Sequence, residues 1–170
     1  STSPTNVSPI PVTVTFSEAV SGFILSDLTV TNGTAGSFVA VSGTVYTVSV
    51  TPTTNGTVSV SVGANAAQDG SGNGNTASNT LSVVYDNVQP TAVVSTTSTS
   101  PTNVSPIPVT VTFSEAVTGL VLSDLTVTNG TAGSFVAVSG TVYTVSVTPT
   151  TNGTVSVCLL YTSPSPRDAT

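Results

Sequence analysis

Residues 44–52 read TVYTVSVTP, and the same nine letters return at residues 141–149. Tyr46, Val48 and Val50 alternate with Thr47 and Ser49. Successive side chains of a strand point to opposite faces, so this run predicts a β-strand with one apolar face and one hydroxyl-bearing face. The same period of two recurs on both sides of it. VTVTF sets Val12, Val14 and Phe16 against Thr13 and Thr15. DLTVTNG sets out Leu28 and Val30 before an Asn32-Gly33 turn. TVSVSVG alternates Val58, Val60 and Val62, TLSVVYD offers Leu81, Val83 and Tyr85, and SFVAVSG adds a run before Gly43. Gly, Asn and Pro separate the runs, and no stretch carries a helical stripe. The chain reads as all-β, with core positions at Val12, Val14, Phe16, Leu28, Val30, Tyr46, Val48, Val50 and Val60.

Composition agrees and narrows function. Of 170 residues 38% are apolar and only 5% charged, with no His, Met or Trp and a formal net charge of −6. β-Branched Val and Thr suit a pleated, half-buried surface. Arg167 is the only basic residue, so little is available to neutralise phosphates, and neither nucleic acid nor an anionic membrane surface is expected as a partner. Cys158 is the only cysteine, which rules out a disulfide framework. No apolar run approaches the ~20 residues of a membrane helix. Without an initiator Met or a signal peptide, the chain is expected to be a fragment of something longer.

The second level of organisation is a long repeat. STSPTNVSPIPVTVTFSEAV opens the chain at Ser1 and returns at Ser98. Residues 1–60 and 98–157 differ only as Ser21/Thr118, Phe23/Leu120 and Ile24/Val121. A period near ~100 residues is too long for a solenoid turn and fits one domain per repeat. About seven strands per period is the content of an immunoglobulin-like sandwich. The expected architecture is therefore tandem immunoglobulin-like Greek-key β-sandwiches, one over residues 1–86 and one over residues 87–157. The linker DNVQPTAVVSTTSTSPT supplies TAVVSTT as the opening strand of the second copy, and the first copy has no equivalent of it. The second copy in turn stops before an equivalent of GANAAQDGSGNGNTASNTLSVVYD. Each copy is thus expected to miss one strand, and an unpaired edge bearing alternating Val invites another chain.

Several blocks occurring in order carry a family resemblance: VTFSEAVSGFILSDLTVTNGTAGSF, YTVSVTPTTNGTVSVSVGANAAQDGSGNGNTASNTLSVVYD and QPTAVV. Residues 1–157 resemble the bacterial Ig-like repeats of large surface proteins and adhesins. The resemblance implies stalk or spacer repeats, an extracellular or cell-surface location, and neighbouring Ig-like repeats of the same chain as partners. Residues 158–170 differ in kind: CLLYTSPSPRD resembles a translated sequencing adapter, and it brings the only Cys and the only Arg. Those residues are set aside as a non-native tail.

Candidate sites are few. His and Lys are absent, so no Ser-His-Asp, Ser-Lys or Cys-His arrangement can be assembled, and no active site is expected. Glu18 and Asp27 stand out only because acids are scarce, and they read first as exposed turn or cap residues. DGSGNGN places Asp69, Ser71, Asn73 and Asn75 at alternating positions, where oxygen ligands can surround Ca²⁺. Thr80 stands where an EF-hand requires its bidentate Glu, so turn geometry is the competing reading. A joint between repeats offers a second calcium candidate, with Asp86 ending one copy and Glu115 following a strand of the next. Asp86, Glu115 and Asp69 are thus the metal candidates, with calcium as the ligand and no cofactor required. Asn6, Asn32 and Asn55 begin N-x-S/T patterns. The leading expectation is a non-enzymatic spacer in a large bacterial surface or secreted adhesin. The alternative is a carbohydrate-binding accessory module of a secreted enzyme, against which the 5% aromatic content weighs.

Overall fold

A computed structural model describes residues 2–160. The chain divides into two compact units, Ser1–Asn87 and Val88–Thr170. Within unit 1 the strands are β1 (Ile10–Thr15), β2 (Leu28–Thr31), β3 (Gly33–Ala40), β4 (Val45–Pro52), β5 (Gly56–Val62) and β6 (Leu81–Tyr85). They form one sheet of order β1-β4-β3 and another of order β2-β5-β6. The chain changes sheet three times, between β1 and β2, β2 and β3, and β4 and β5, so the two sheets are laced together. Val12 and Val14 stand opposite Val48 and Tyr46 in the first sheet. Val58 and Val60 stand opposite Val83 and Leu81 in the second. The inward faces meet in one core of Ile10, Val12, Val48, Val50, Val58, Val60 and Val83. This is the immunoglobulin-like β-sandwich that the alternation predicts.

Unit 2 contains β7 (Ala92–Thr96), β8 (Ile107–Phe113), β9 (Leu125–Thr128), β10 (Gly130–Ala137), β11 (Val142–Pro149) and β12 (Ser156–Leu159). Its sheets have the orders β10-β11-β8-β7 and β12-β9. The same core positions recur, led by Val109, Val111, Phe113, Val145 and Val147. Among the described residues, unit 1 has no strand outside β1, and unit 2 has none outside β12.

Those two differences change the burial of identical residues. Val14 and Phe16 are only half-buried, whereas Val111 and Phe113 are buried. The reason is β7, which sets Val94 opposite Val111 and Ala92 opposite Phe113, while β1 has no such neighbour. The core reading of Val14 and Phe16 is corrected accordingly for unit 1. Leu28 and Val30 are also half-buried. Conversely the core includes Ile10, Phe23 and Ala67, which the alternating runs do not pick out. The Phe23 ring lies 5.2 Å from Phe16, 5.4 Å from Phe38 and 5.0 Å from Tyr46, in edge-to-face contacts.

Two strand boundaries differ from the alternating runs. SFVAVSG does contribute a strand, but a longer one than the run suggests: β3 starts at Gly33 and ends at Ala40, and a register shift between Gly36 and Val39 bulges it around Ser37, whose φ is 47°. Gly33 must be glycine, since a Cβ there would meet Val50 Cγ1 at 2.9 Å and the Thr51 carbonyl oxygen at 3.1 Å. In unit 2 the pairing runs past Val157. Strand β12 continues through Cys158 and Leu159, opposite Thr126 and Leu125 of β9. Leu159 takes the position that Val62 holds opposite Leu28 in unit 1. Residues 161–170 of the tail, with Arg167, lie outside the described residues.

Candidate functional site

Where acids and amides sit decides whether these sandwiches carry chemistry. Asp27 and Asp124 hold the short 3₁₀ turns Leu25–Asp27 and Leu122–Asp124. The Ile24 amide donates to Asp27 Oδ2 at 2.9 Å, and the Val121 amide donates to Asp124 Oδ2 at 2.9 Å. A carboxylate at the start of a turn satisfies an otherwise unpaired N–H, so the cap reading of Asp27 holds. Glu18 is exposed.

Asp69 is spent on its own loop. Its Oδ1 accepts the amides of Ser71 and Asn73, each at 2.8 Å, and its Oδ2 accepts the Asn73 side-chain amide at 2.8 Å. The Asn73 side chain, then the backbone amides of Asn73, Ser71 and Gly72, hold the carboxyl below its ordinary value. Asn75 is likewise engaged: its Oδ1 accepts the Ala67 amide at 2.8 Å, and its Nδ2 donates to the Gly63 and Thr76 carbonyls, each at 2.8 Å. The alternating Asp and Asn side chains of DGSGNGN therefore fold the loop from within. Asp86 belongs to unit 1, where its amide donates to the Thr5 carbonyl at 2.9 Å, and Glu115 belongs to unit 2. Among the described residues no three or more His, Cys, Asp or Glu side chains gather at one point.

Sequence reading treats Asn32 as a turn residue and a glycosylation pattern, and its side chain does more. Asn32 has φ of 56°, in the left-handed region that asparagine tolerates. Its Nδ2 donates to the Thr54 carbonyl at 2.9 Å and reaches the Thr57 carbonyl at 3.4 Å. Its Oδ1 accepts the Thr54 amide at 3.2 Å and the Thr54 hydroxyl at 2.9 Å. Asn129 repeats the tie in unit 2 with Thr151 and Thr154. This amide joins two of the places where the chain changes sheet, between β2 and β3 and between β4 and β5. The only sequence signal for it is the recurrence of Asn-Gly and Thr-Asn-Gly at a fixed spacing.

The aromatic residues are committed too. Among the described residues every Phe and Tyr is buried or half-buried. The Tyr46 hydroxyl donates to the Val20 carbonyl at 3.2 Å, and the Tyr143 hydroxyl donates to the Val117 carbonyl at 2.9 Å.

Two consecutive sandwiches, with polar side chains turned to caps and corners, match one family twice, over residues 2–85 and 86–166. The chain belongs to the bacterial Ig-like domain family. Bacterial Ig-like domains are commonly structural or surface modules, are typically non-catalytic, and often occur in extracellular proteins. No curated protein and no solved structure matches the chain. No helix among the described residues of these bacterial Ig-like domains is long and apolar enough to cross a membrane.

Proposed function

We propose that the two bacterial Ig-like domains are spacer repeats in the stalk of a large bacterial surface or secreted adhesin. Their work is geometric. Each unit closes its own core, and adding units lengthens the stalk that carries a binding domain. The observation that supports this reading best is the use of the polar side chains. Asp27, Asp69, Asn75 and Asn32 are occupied by turns and corners, and the aromatic residues by the core. The partners of such repeats are neighbouring Ig-like repeats in the same chain, outside the cell.

A carbohydrate-binding accessory module needs exposed rings and convergent polar groups. A glycan-binding assay on the chain separates the two. A spacer gives no saturable binding to any glycan, and saturable binding to one would replace the spacer reading. Calcium, with Asp86 and Glu115 among its candidate ligands, accompanies the proposal, and no other cofactor is required. A calcium titration of the tandem units that leaves their melting curve unmoved would remove it.

A further inference from the structure

Unit 1 contains three Asn-Gly pairs, at residues 32–33, 55–56 and 73–74. Such a pair deamidates without an enzyme. The glycine nitrogen gives up its proton and attacks the asparagine Cγ, the Cγ–Nδ2 bond breaks, and Nδ2 leaves as ammonia. Water then opens the cyclic imide to aspartate or isoaspartate, so the net change is carboxamide plus water to carboxylate plus ammonium. Glycine permits the approach because it has no Cβ to obstruct it. The reaction needs a side-chain amide free to turn and a glycine N–H outside the hydrogen-bond ladder.

The fold withholds one of these at two of the pairs. The Asn32 side chain is held by Thr54 and Thr57 through both of its polar atoms. At Asn55 the glycine is the obstacle. Val84 and Asp86 turn their backbone groups to Ser3 and Thr5, so Tyr85 between them faces β5, and Gly56 stands opposite it in a hydrogen-bonded pair. Asn55 Oδ1 also accepts the Asn87 amide at 3.2 Å. Asn73 and Gly74, by contrast, lie exposed in the loop between β5 and β6. The Asp69 amide donates to the Asn73 carbonyl at 3.0 Å and the Asn75 amide to the Ala67 carbonyl at 3.0 Å. Gly74 therefore points its N–H away from that pairing, and it has no partner among the described residues. The Asn73 side chain is held by one exposed bond, to Asp69 Oδ2. The glycine itself is fixed by the fold, since a Cβ there would overlap the Asn65 side chain and stand 3.2 Å from the Asn65 Cα.

We propose that Asn73 is a self-modifying site: in the folded chain it deamidates ahead of Asn32 and Asn55, and the carboxylate it becomes opens its loop. Asn73 Nδ2 donates to Asp69 Oδ2 at 2.8 Å. A carboxylate at position 73 has no proton to donate and sets a second negative charge against Asp69, so attraction is replaced by repulsion. The loop carries Ala67, which is 2% exposed and belongs to a core cluster with Phe23, Tyr46 and Val62. Beside Asp69 it is fastened to the sandwich by the Ser21 amide on the Gln68 carbonyl at 2.8 Å and the Gln68 amide on the Ser21 carbonyl at 3.0 Å. The modification adds a negative charge and loosens this loop with age, and water is its co-reactant. The inference does not depend on the spacer reading.

The test uses the whole 170-residue chain, kept folded in mildly alkaline buffer and, in parallel, unfolded in guanidinium chloride. Chymotrypsin cuts after Leu, Phe and Tyr, so residues 47–81 emerge as one peptide carrying Asn55 and Asn73, distinct from residues 144–159. Residues 29–38 and 126–135 have the same letters and report Asn32 together with Asn129, which has the same tie. Mass spectrometry with fragmentation gives the rate at each asparagine. In the folded chain Asn73 is expected to convert more than about tenfold faster than Asn55 or Asn32, the factor that one intramolecular hydrogen bond is worth. In guanidinium chloride the three are expected to convert at comparable rates, since each precedes glycine. Equal conversion of Asn55 or Asn32 in the folded chain would overturn the proposal, and so would no conversion of Asn73 there. An equal lead of Asn73 in the unfolded chain would also overturn it, by making local sequence the cause. The chain with Asn73→Asp tests the consequence: protection of the Ser71 amide against hydrogen exchange should fall more than about tenfold while that of Val48 in β4 stays unchanged. Unchanged protection at Ser71 refutes the loop opening, and equal loss at Val48 refutes it by showing that the whole unit unfolds.

Discussion

Replacing Asn32 by alanine should destabilise unit 1 by about 2.5 kcal/mol, for two separable reasons. The first is the amide tie. Three of its four contacts are 3.2 Å or shorter. They are solvent-exposed, so water replaces them when the amide is removed, and each counts at about 0.5 kcal/mol. Together they contribute about 1.5 kcal/mol. The second reason is backbone: φ at Asn32 is 56°, and alanine in the left-handed region costs about 1 kcal/mol more than a residue that tolerates it. Asn32→Gly keeps the backbone freedom and loses only the amide, so it should cost about 1.5 kcal/mol. Urea denaturation of the two variants beside the parent chain measures both quantities, and Asn129 in unit 2 serves as the internal reference. Equal losses for Ala and Gly would remove the backbone argument. Losses below about 0.5 kcal/mol for both would show that the amide is not a tie between the two crossings.

Three further outcomes follow from the same geometry. Tyr143→Phe leaves the Val117 carbonyl without its 2.9 Å donor at a buried site and should cost about 1–2 kcal/mol by the same denaturation assay, whereas Tyr46→Phe, at 3.2 Å and part-buried, should cost less. Val58→Ala removes two buried carbons and should cost about 2 kcal/mol, while Val155→Ala in the half-buried counterpart should cost about half as much; calorimetry of each variant checks the ratio. Because the folded loop lowers the Asp69 carboxyl below its unfolded value, the loop's order is present above that unfolded value and is lost as pH falls through the folded one; the protection of the Ser71 and Asn73 amides, taken relative to the unstructured exchange rate at each pH, should fall across that acid window and stay flat above it.

The strands were largely legible because a half-buried strand writes its geometry into a period of two. Tyr46, Val48 and Val50 are buried as TVYTVSVTP predicts. Positions that depend on a neighbouring strand were not legible. Val14 and Val111 share one local sequence, and only β7 makes one of them core. Phe23 and Ala67 join the core from irregular segments, where no period exists to mark them. The site reading was limited in the same way. Asn32 binds carbonyls more than twenty residues away, and no local pattern encodes such a partner. Asp69 shows the opposite case: its partners lie within four residues, and the turn reading of DGSGNGN describes what the loop does. The end of sequence identity at Val157 is likewise not a structural end, since Cys158 and Leu159 keep the out-and-in alternation that β9 requires.

Every sheet draws its strands from one unit alone. Under tension, one sandwich can therefore rupture while the other keeps all of its strand pairs. Opening the unit Ser1–Asn87 would release about 300 Å of extended chain in a single event. A row of such modules then acts as a set of mechanical fuses, yielding one at a time and limiting the peak load passed to whatever the row holds.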